Sequence, residues 1–184
     1  SISEEILWDI FNQCLEGLIY LHNKGVIHRD IKPGNILMDE KGNIQIGDFG
    51  ISAIVDINKL KNFTNDPQEQ KSILLIPREH KGTLGYTAPE IDQGLIYDQK
   101  ADVYSMGITF YVLCYGTFPY VNGRYMNEMR EDNFYSDGLK NIISQMIESN
   151  PNQRPYSGEI YLAFKQYYIK KFVKDNEIKY DEAM

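Results

Sequence analysis

Two short segments of the sequence carry side chains whose types and spacing could perform phosphoryl transfer. Residues 28–35 read His-Arg-Asp-Ile-Lys-Pro-Gly-Asn, and Asp48-Phe49-Gly50 begins thirteen residues after the last of them. In phosphoryl transfer, most of the catalysis is positioning and the neutralisation of charge. One carboxylate orients the attacking hydroxyl, oxygen ligands hold Mg²⁺, and a lysine beside the carboxylate can neutralise the moving phosphoryl group.

Each of these residues also has a plainer interpretation. Asp30 taken alone could cap a turn in a loop, and residues 48–50 alone could form a tight turn after a strand. Because both segments occur in this order and at this separation, together they favour the chemical interpretation.

The elements that must position these side chains are a helix before them and a hairpin between them. Ser1 and Glu4 have the spacing of a capping box, which predicts a helix that starts at the N-terminal end. Apolar residues then recur every three or four positions, at Leu7, Phe11, Cys14, Leu18 and Leu21. This spacing predicts an amphipathic helix that ends near Asn23, with Gly25 as a left-handed C-cap.

Short alternating segments around a turn predict the hairpin. Residues 35–38 and 44–46 are its strands, and Glu40-Lys41-Gly42 is the turn.

The rest of the chain divides into a loop and further helices. Residues 51–81 have no sustained period and are predicted as a long loop, of a kind that is usually functional or disordered. The apolar run 73–76 within it is predicted as a packing segment, with a short strand or a docking patch as alternatives. Residues 100–113 are apolar nearly all round, which predicts a central, buried helix. Two more helices are predicted at about 137–149 and 156–174.

With these elements in place, the motifs resemble those of the eukaryotic protein kinases. Residues 28–35 are similar to the family's catalytic loop, and residues 48–50 to its metal-binding motif. Residues 82–90 (Gly-Thr-Leu-Gly-Tyr-Thr-Ala-Pro-Glu) resemble the end of the activation segment. Asp102 opens a match to the central helix, with Tyr104 where the family usually has Trp, and residues 150–155 match the segment with a late arginine.

The resemblance implies a role for each matched residue. Asp30 is matched to the catalytic base, Lys32 to the contact with the γ-phosphate of ATP, and Thr83 to the threonine that bridges these two in Ser/Thr kinases. The resemblance also implies that Asn35 and Asp48 are the Mg²⁺ ligands and that Leu37 lies beneath the adenine. The structural positions it implies are His28 and Phe49 in an apolar spine, Asp102 in the central helix, and Glu90 with Arg154 as a buried ion pair.

Arg29 is the basis for an expectation about how the protein is regulated. Kinases with an arginine before the base are commonly switched by phosphate on the activation loop. Glu79 occupies the position of the usual phosphorylated residue, so we hypothesise that it offers Arg29 a permanent, weaker negative charge. Thr64 and Ser72 are alternative phosphorylation sites.

The match implies a particular part of the kinase fold. The family is α+β, and this chain is expected to be its mainly α-helical C-terminal lobe, with a small β-hairpin at the catalytic site. The expected boundaries are 1–184 for the lobe, 48–90 for the activation segment and 165–184 for a C-terminal extension. The glycine loop, the strand lysine and the hinge of the N-terminal lobe have no match, so that lobe would have to come from the same or another chain.

Three functional interpretations follow from this match. The first is a Ser/Thr protein kinase that uses ATP and Mg²⁺ on protein substrates, with the isolated chain inactive. The second is a non-catalytic kinase-like lobe that acts as an interaction scaffold. The third is a small-molecule kinase, against which the peptide-docking segment 82–90 argues. Gly34 and Val112 occupy positions that are often acidic in kinases with arginine-rich substrates, which argues against such a substrate motif.

Composition limits the partners and the location. Asp and Glu total 26 against 19 Lys and Arg, a net charge of −7 that disfavours nucleic acid. The most apolar stretch is too short to span a bilayer, and Cys14 and Cys114 lie among apolar residues, as free buried thiols do. A cytoplasmic protein without a membrane partner is therefore expected. His22 and His80 match no site and are expected to be solvated, and the lysines from Lys165 to Lys179 are expected to form a solvated helix face.

Overall fold

The fold described by the computed structural model is mainly helical, with strands that occur only in small antiparallel pairs. The structure describes residues 2–55, 82–121, 124–125 and 134–170. Its helices are α1 (Glu4–Asn23), α2 (Pro89–Asp92), α3 (Lys100–Tyr115), α4 (Asp137–Met146) and α5 (Ser157–Tyr168). Its strands are β1 (Val26–Ile27), β2 (Ile36–Met38), β3 (Ile44–Ile46), β4 (Ala53–Ile54), β5 (Tyr120–Val121) and β6 (Arg124–Tyr125). This architecture confirms the expected fold class.

Helix α1 begins differently from the prediction. Ser3, not Ser1, is the N-cap, and its hydroxyl accepts a hydrogen bond from the amide of Ile6. The carboxylate of Glu4 turns to other partners, since it accepts from the Ser136 amide at 2.9 Å and from the indole of Trp8 at 2.8 Å. The predicted capping box is therefore wrong, because a tertiary contact at the start of α4 competes for Glu4.

The other end of α1 agrees with the prediction. The helix ends at Asn23, and Gly25 has a φ of +73°, the left-handed region in which a side chain would be strained. The Gly25 amide donates to the carbonyl of His22 at 3.0 Å, which turns the chain into β1.

Helix α3 runs through the centre of the lobe, as its apolar sequence predicts. Nearly every residue from Ala101 to Tyr111 is buried, and the helix ends at Tyr115 with Gly116 at a φ of +66°. The buried hydroxyls of Ser105 and Thr109 donate to the carbonyls four residues earlier in the same helix. These two hydroxyls are therefore both paired inside the core.

The hairpin lies where the sequence predicts it. Strands β2 and β3 pair antiparallel with Leu37 opposite Gln45. Gln13 of α1 clamps the turn, because its amide nitrogen donates to the Gly42 carbonyl at 3.2 Å and its amide oxygen accepts from the Ile44 amide at 2.8 Å. The hairpin is thereby attached to α1.

A second strand pair corrects the prediction that residues 51–81 are loop throughout. β4 pairs antiparallel with β1, with Ala53 opposite Ile27. Two-residue strands are too short to produce a periodic pattern, so the sequence did not indicate this one. Residues 56–81, including the apolar run 73–76, lie outside the described residues.

Helix α5 packs against α1, and α4 packs against α3 and α5. α4 and α5 end at Met146 and Tyr168, the first slightly earlier than its predicted end, while residues beyond 170 lie outside the described part. Trp8 of α1 packs against Phe164 and stacks on Tyr167, with ring centroids 5.0 and 5.3 Å away. This aromatic contact joins α1 and α5 in one core.

Both cysteines are free and buried, which confirms that expectation. Burial raises the pKa of the Cys14 thiol to about 12, so it stays protonated at neutral pH. None of the helices in the described ranges combines the length and the apolar character that crossing a bilayer requires.

Candidate active site

Asp30 lies at the centre of a hydrogen-bond network whose members come from two parts of the sequence, residues 30–35 and Thr83. The ammonium of Lys32 donates to Asp30 Oδ2 at 2.8 Å and to the Thr83 hydroxyl at 2.7 Å. That hydroxyl donates to Asp30 Oδ1 at 2.6 Å. The amide nitrogen of Asn35 donates to Asp30 Oδ2 at 3.1 Å and to its backbone carbonyl at 2.8 Å. The carboxylate is thus aimed by three separate donors.

The same network sets the protonation of Asp30. Burial acts to raise the pKa of the Asp30 carboxyl, but hydrogen bonds from Lys32, Thr83 and Asn35, with the charge of Lys32, together hold that pKa below its usual value. Asp30 is therefore ionised at neutral pH and can accept a hydrogen bond from a hydroxyl.

The backbone of the loop is fixed by Asp102, which is fully buried at the start of α3. Its two carboxylate oxygens accept hydrogen bonds from the amides of His28 and Arg29, both at 2.8 Å. Arg29 has a φ of +69°, a conformation that is uncommon for a residue with a side chain. The loop that carries Asp30 is thus held in this shape by a carboxylate distant in sequence.

The side chain of Arg29 is buried among neutral oxygens. Its guanidinium donates to the carbonyls of Ile51 and Ser52 and to the Tyr97 hydroxyl, the last at 3.1 Å. These bonds connect the loop that carries Asp30 to the segment that leads into β4. Glu79, the hypothesised partner of Arg29, lies outside the described residues.

The two predicted metal ligands flank the hairpin. Asn35 is buried at its start, and both hydrogen bonds of its side chain use the amide nitrogen, which leaves the amide oxygen for a cation. Asp48 is exposed at its end, and its Oδ1 accepts from the Gly50 amide at 3.2 Å. An amide oxygen and a carboxylate are hard oxygen ligands, so the pair fits Mg²⁺.

The remaining matched residues near the hairpin are the buried His28 and the partly exposed Phe49 and Leu37. The His28 ring donates from Nε2 to the Gly47 carbonyl at 2.8 Å, and its centroid is 5.0 Å from that of Phe49. Phe49 is 45% exposed and Leu37 is 56% exposed. The structure therefore leaves an apolar surface directly beside Asp48.

Glu90 and Arg154 form a buried, bidentate ion pair. The guanidinium nitrogens lie 2.6 and 3.1 Å from the two carboxylate oxygens. Arg154 also donates to the carbonyls of Glu148 and Lys100, at 2.8 and 3.0 Å. The pair thus joins α2 to the start of α3 and to the segment between α4 and α5.

His22 corrects the sequence prediction, which expected it to be solvated. It is buried, with Nδ1 2.9 Å from the Ser157 hydroxyl and Nε2 3.1 Å from Asp102 Oδ2. The signal that could have placed it was its spacing, because it lies four residues after Leu18 on the inward face of α1. Ser157 and Tyr97 were also missed, since nothing in their sequence neighbourhoods marks them.

The sequence analysis also expected His80 and the lysines from Lys165 to Lys179 to be solvated, and only some of these residues are described by the structure. His80 lies outside the described residues, as do Lys171, Lys174 and Lys179. Lys165 is partly exposed, with its ammonium 3.9 Å from Glu16 and above the Tyr161 ring, and Lys170 is exposed.

A carboxylate aimed by its neighbours, a lysine beside it and two side-chain oxygens nearby are the groups that phosphoryl transfer uses. Residues 1–168 match the family described as Protein kinase domain. The chain therefore belongs to the protein kinase family.

Individual relatives agree with this assignment. The chain is 33% identical over 163 residues to CBL-interacting serine/threonine-protein kinase 15 of Arabidopsis thaliana, covering 84% of this chain and 36% of that protein. It is 34% identical over 161 residues to CBL-interacting protein kinase 22 of Oryza sativa subsp. japonica, covering 83% and 34%. It is 33% identical over 172 residues to the eIF-2-alpha kinase GCN2 of Homo sapiens, covering 84% and 10%. The chain thus spans about a third or less of the length of these relatives.

Proposed function

We propose that this chain is the C-terminal lobe of a Ser/Thr protein kinase, which transfers the γ-phosphoryl group of ATP to Ser or Thr hydroxyls of proteins. The observation that carries the proposal is the convergence of Lys32, Thr83 and Asn35 on the Asp30 carboxylate. The proposed boundaries are 1–184 for the lobe, with an activation segment at 48–90 and an extension at 165–184.

Each side chain has a proposed task. Asp30 accepts the hydrogen bond of the attacking hydroxyl and receives its proton, for which its lowered pKa keeps it ionised. Lys32, 2.8 Å from Asp30, is close enough to neutralise negative charge on the phosphoryl group that moves toward that hydroxyl. Thr83 holds the two in register, and because it belongs to residues 82–90, it links the base to the peptide-docking segment.

Asn35 and Asp48 are the proposed protein ligands of Mg²⁺. When bound, the ion would neutralise charge on the phosphates of ATP and orient them. Because Mg²⁺ keeps few protein ligands, phosphate oxygens and water would complete its shell.

Nucleotide binding is proposed to need an N-terminal lobe, from the same or another chain. Leu37 and Phe49 are apolar yet about half exposed, and Ile54 is 82% exposed, which supports a covering surface on this side. For location we propose a reducing compartment, the cytoplasm, on the basis of the two free thiols.

The test joins the chain to the small lobe of a Ser/Thr protein kinase and measures transfer of labelled γ-phosphate to Ser, Thr and Tyr peptides. We expect Mg²⁺-dependent transfer to Ser or Thr, lost in Asp30→Asn and Asp48→Asn but kept in the surface control Asp9→Asn. The chain alone should show no thermal shift with millimolar Mg²⁺–ATP.

A folded joined protein without transfer would contradict the proposal and favour the alternative, a kinase-like lobe that serves as a scaffold. Transfer to tyrosine alone would contradict the substrate class.

A further inference from the structure

A chain of buried hydrogen bonds connects the first residue of α5 to the catalytic loop. The Ser157 hydroxyl lies 2.9 Å from His22 Nδ1, and His22 Nε2 lies 3.1 Å from Asp102 Oδ2. All three residues are more than nine-tenths buried. The contacts are distant in sequence, so only the folded lobe assembles them.

The acceptors in this series of hydrogen bonds determine which atom carries each hydrogen. Asp102 accepts two backbone amides through its two oxygens, and a carboxylate can only accept, so the hydrogen between it and His22 is assigned to Nε2. In a neutral imidazole Nδ1 is then an acceptor, and Ser157 is the donor that satisfies it. Without that hydroxyl, Nδ1 would be a buried acceptor with no partner in this arrangement, which is costly.

Packing alone does not hold the His22 ring. The ring borders a half-open cavity of about 180 Å³, whose other walls include Ile27, Val55, Asp98 and Tyr156. Because His22 lines this cavity, the hydrogen bonds at its two ring nitrogens contribute to the orientation of the ring.

We propose that Ser157 is a positioning residue for the catalytic loop, because its hydroxyl fixes the tautomer and orientation of His22, which in turn orients Asp102. Asp102 fixes the amides of His28 and Arg29, and Asp30 is the next residue. The inference rests on the proposed function, because it takes Asp30 to be the catalytic base. It also connects α5 to the site through His22 and Asp102, although α5 contributes no side chain to the Asp30 network.

The first test reads the tautomer in the 184-residue chain by ¹⁵N NMR of the His22 ring at neutral pH. We expect the neutral form with its hydrogen on Nε2. A hydrogen on Nδ1, or a doubly protonated ring, would overturn the proposal, because Ser157 would then be an acceptor.

The second test measures amide hydrogen exchange in Ser157→Ala. The amides of His28 and Arg29 should exchange roughly three- to tenfold faster, the effect of one lost net hydrogen bond, while Ile142 and Ile143 in α4 are unchanged. In Ser157→Thr, which keeps the hydroxyl, the amides of His28 and Arg29 should exchange as slowly as in the unaltered chain. Ser105→Ala is the matched control, because it removes a buried serine hydroxyl that bonds only within its own helix.

The outcomes separate positioning from stability. Uniformly faster exchange at all these amides, or no change at His28 and Arg29, would overturn the proposal. If Ser157→Ala does not fold, the ¹⁵N result on the unaltered chain still decides. Neither measurement needs phosphate transfer, so a failure of the proposed function would be seen separately.

Discussion

At the scale of single residues, the site depends on how the Asp30 carboxylate is charged and aimed. Burial alone would favour its neutral form, and the neighbouring donors reverse that preference. Lys32 contributes both a hydrogen bond and a charge, so it is the residue whose loss should change Asp30 most.

Replacing Lys32 with Met should raise the pKa of Asp30, because burial remains while a donor and a charge are lost. ¹³C NMR titration of the carboxyl measures this directly. In the unaltered chain the folded-state pKa is lowered, so Asp30 contributes stability above the ordinary Asp value of about 3.9 and loses it as the pH falls through the folded value. The stability difference between Lys32→Met and the unaltered chain should therefore be largest at neutral pH and shrink below about pH 4.

The control is Lys41→Met, which removes a lysine from the exposed hairpin turn. It should leave the Asp30 titration unchanged. An unchanged Asp30 pKa in Lys32→Met would contradict the prediction.

At the scale of elements, close packing between helices limits the size of the side chains that α3 tolerates. Gly107 lies where α3 meets the end of α4, and a Cβ there would be 2.7 Å from Met146 Cβ and 2.9 Å from Ile147 Cγ2. Gly107→Ala should therefore destabilise the lobe by about 1–3 kcal/mol, although alanine is the better helix former. Chemical denaturation measures the change in the free energy of unfolding.

Gly158 in α5 is the matched control. A Cβ at this position would meet nothing within 4 Å. Gly158→Ala should therefore be neutral or stabilise by up to about 1 kcal/mol, as helix propensity requires. Equal effects of the two substitutions would show that propensity, and not packing, dominates in α3.

The hairpin depends on α1 through one side chain. Gln13→Ala removes the two hydrogen bonds that hold both sides of the turn. We expect a loss of about 1–3 kcal/mol of stability and faster hydrogen exchange at the Ile44 amide, because that amide loses its acceptor. Gln45→Ala, on the exposed side of β3, should leave exchange at Ile44 unchanged, and a similar effect of both variants would argue against a specific clamp.

At the scale of the whole molecule, the sequence predicted the parts that periodicity and local motifs encode. Helices α1 and α3 and the hairpin follow from apolar spacing and turn residues. The strand β4 and the burial of His22 do not, because each is created by a contact with a residue far along the chain. Glu4 shows the same competition, since a local capping pattern yields to a partner at Ser136.

The candidate site shows the same division. Asp30, Lys32 and Asn35 stand close together in the sequence, and their motif suggested a shared site. Their hydrogen bonds to Thr83, and the hold of Asp102 on the loop, require the fold. The candidate residues could therefore be predicted from the sequence, whereas the contacts that fix their geometry could be predicted only in part.

The buried ion pair tests how the lobe is held together over long range. Arg154→Met alone leaves the Glu90 carboxylate buried without its partner and should cost about 3–5 kcal/mol of stability. Glu90→Gln likewise leaves the Arg154 guanidinium buried without its charged partner. The double variant should lose clearly less stability than the two single variants added together, because no unpaired charge remains. Urea unfolding of the three variants measures this coupling.

The control is Lys165→Met, which breaks the partly exposed contact with Glu16 and should cost at most about 1 kcal/mol of stability. Additive costs for Glu90 and Arg154 would mean that each side chain acts through its other contacts, and that the pair does not join the segments.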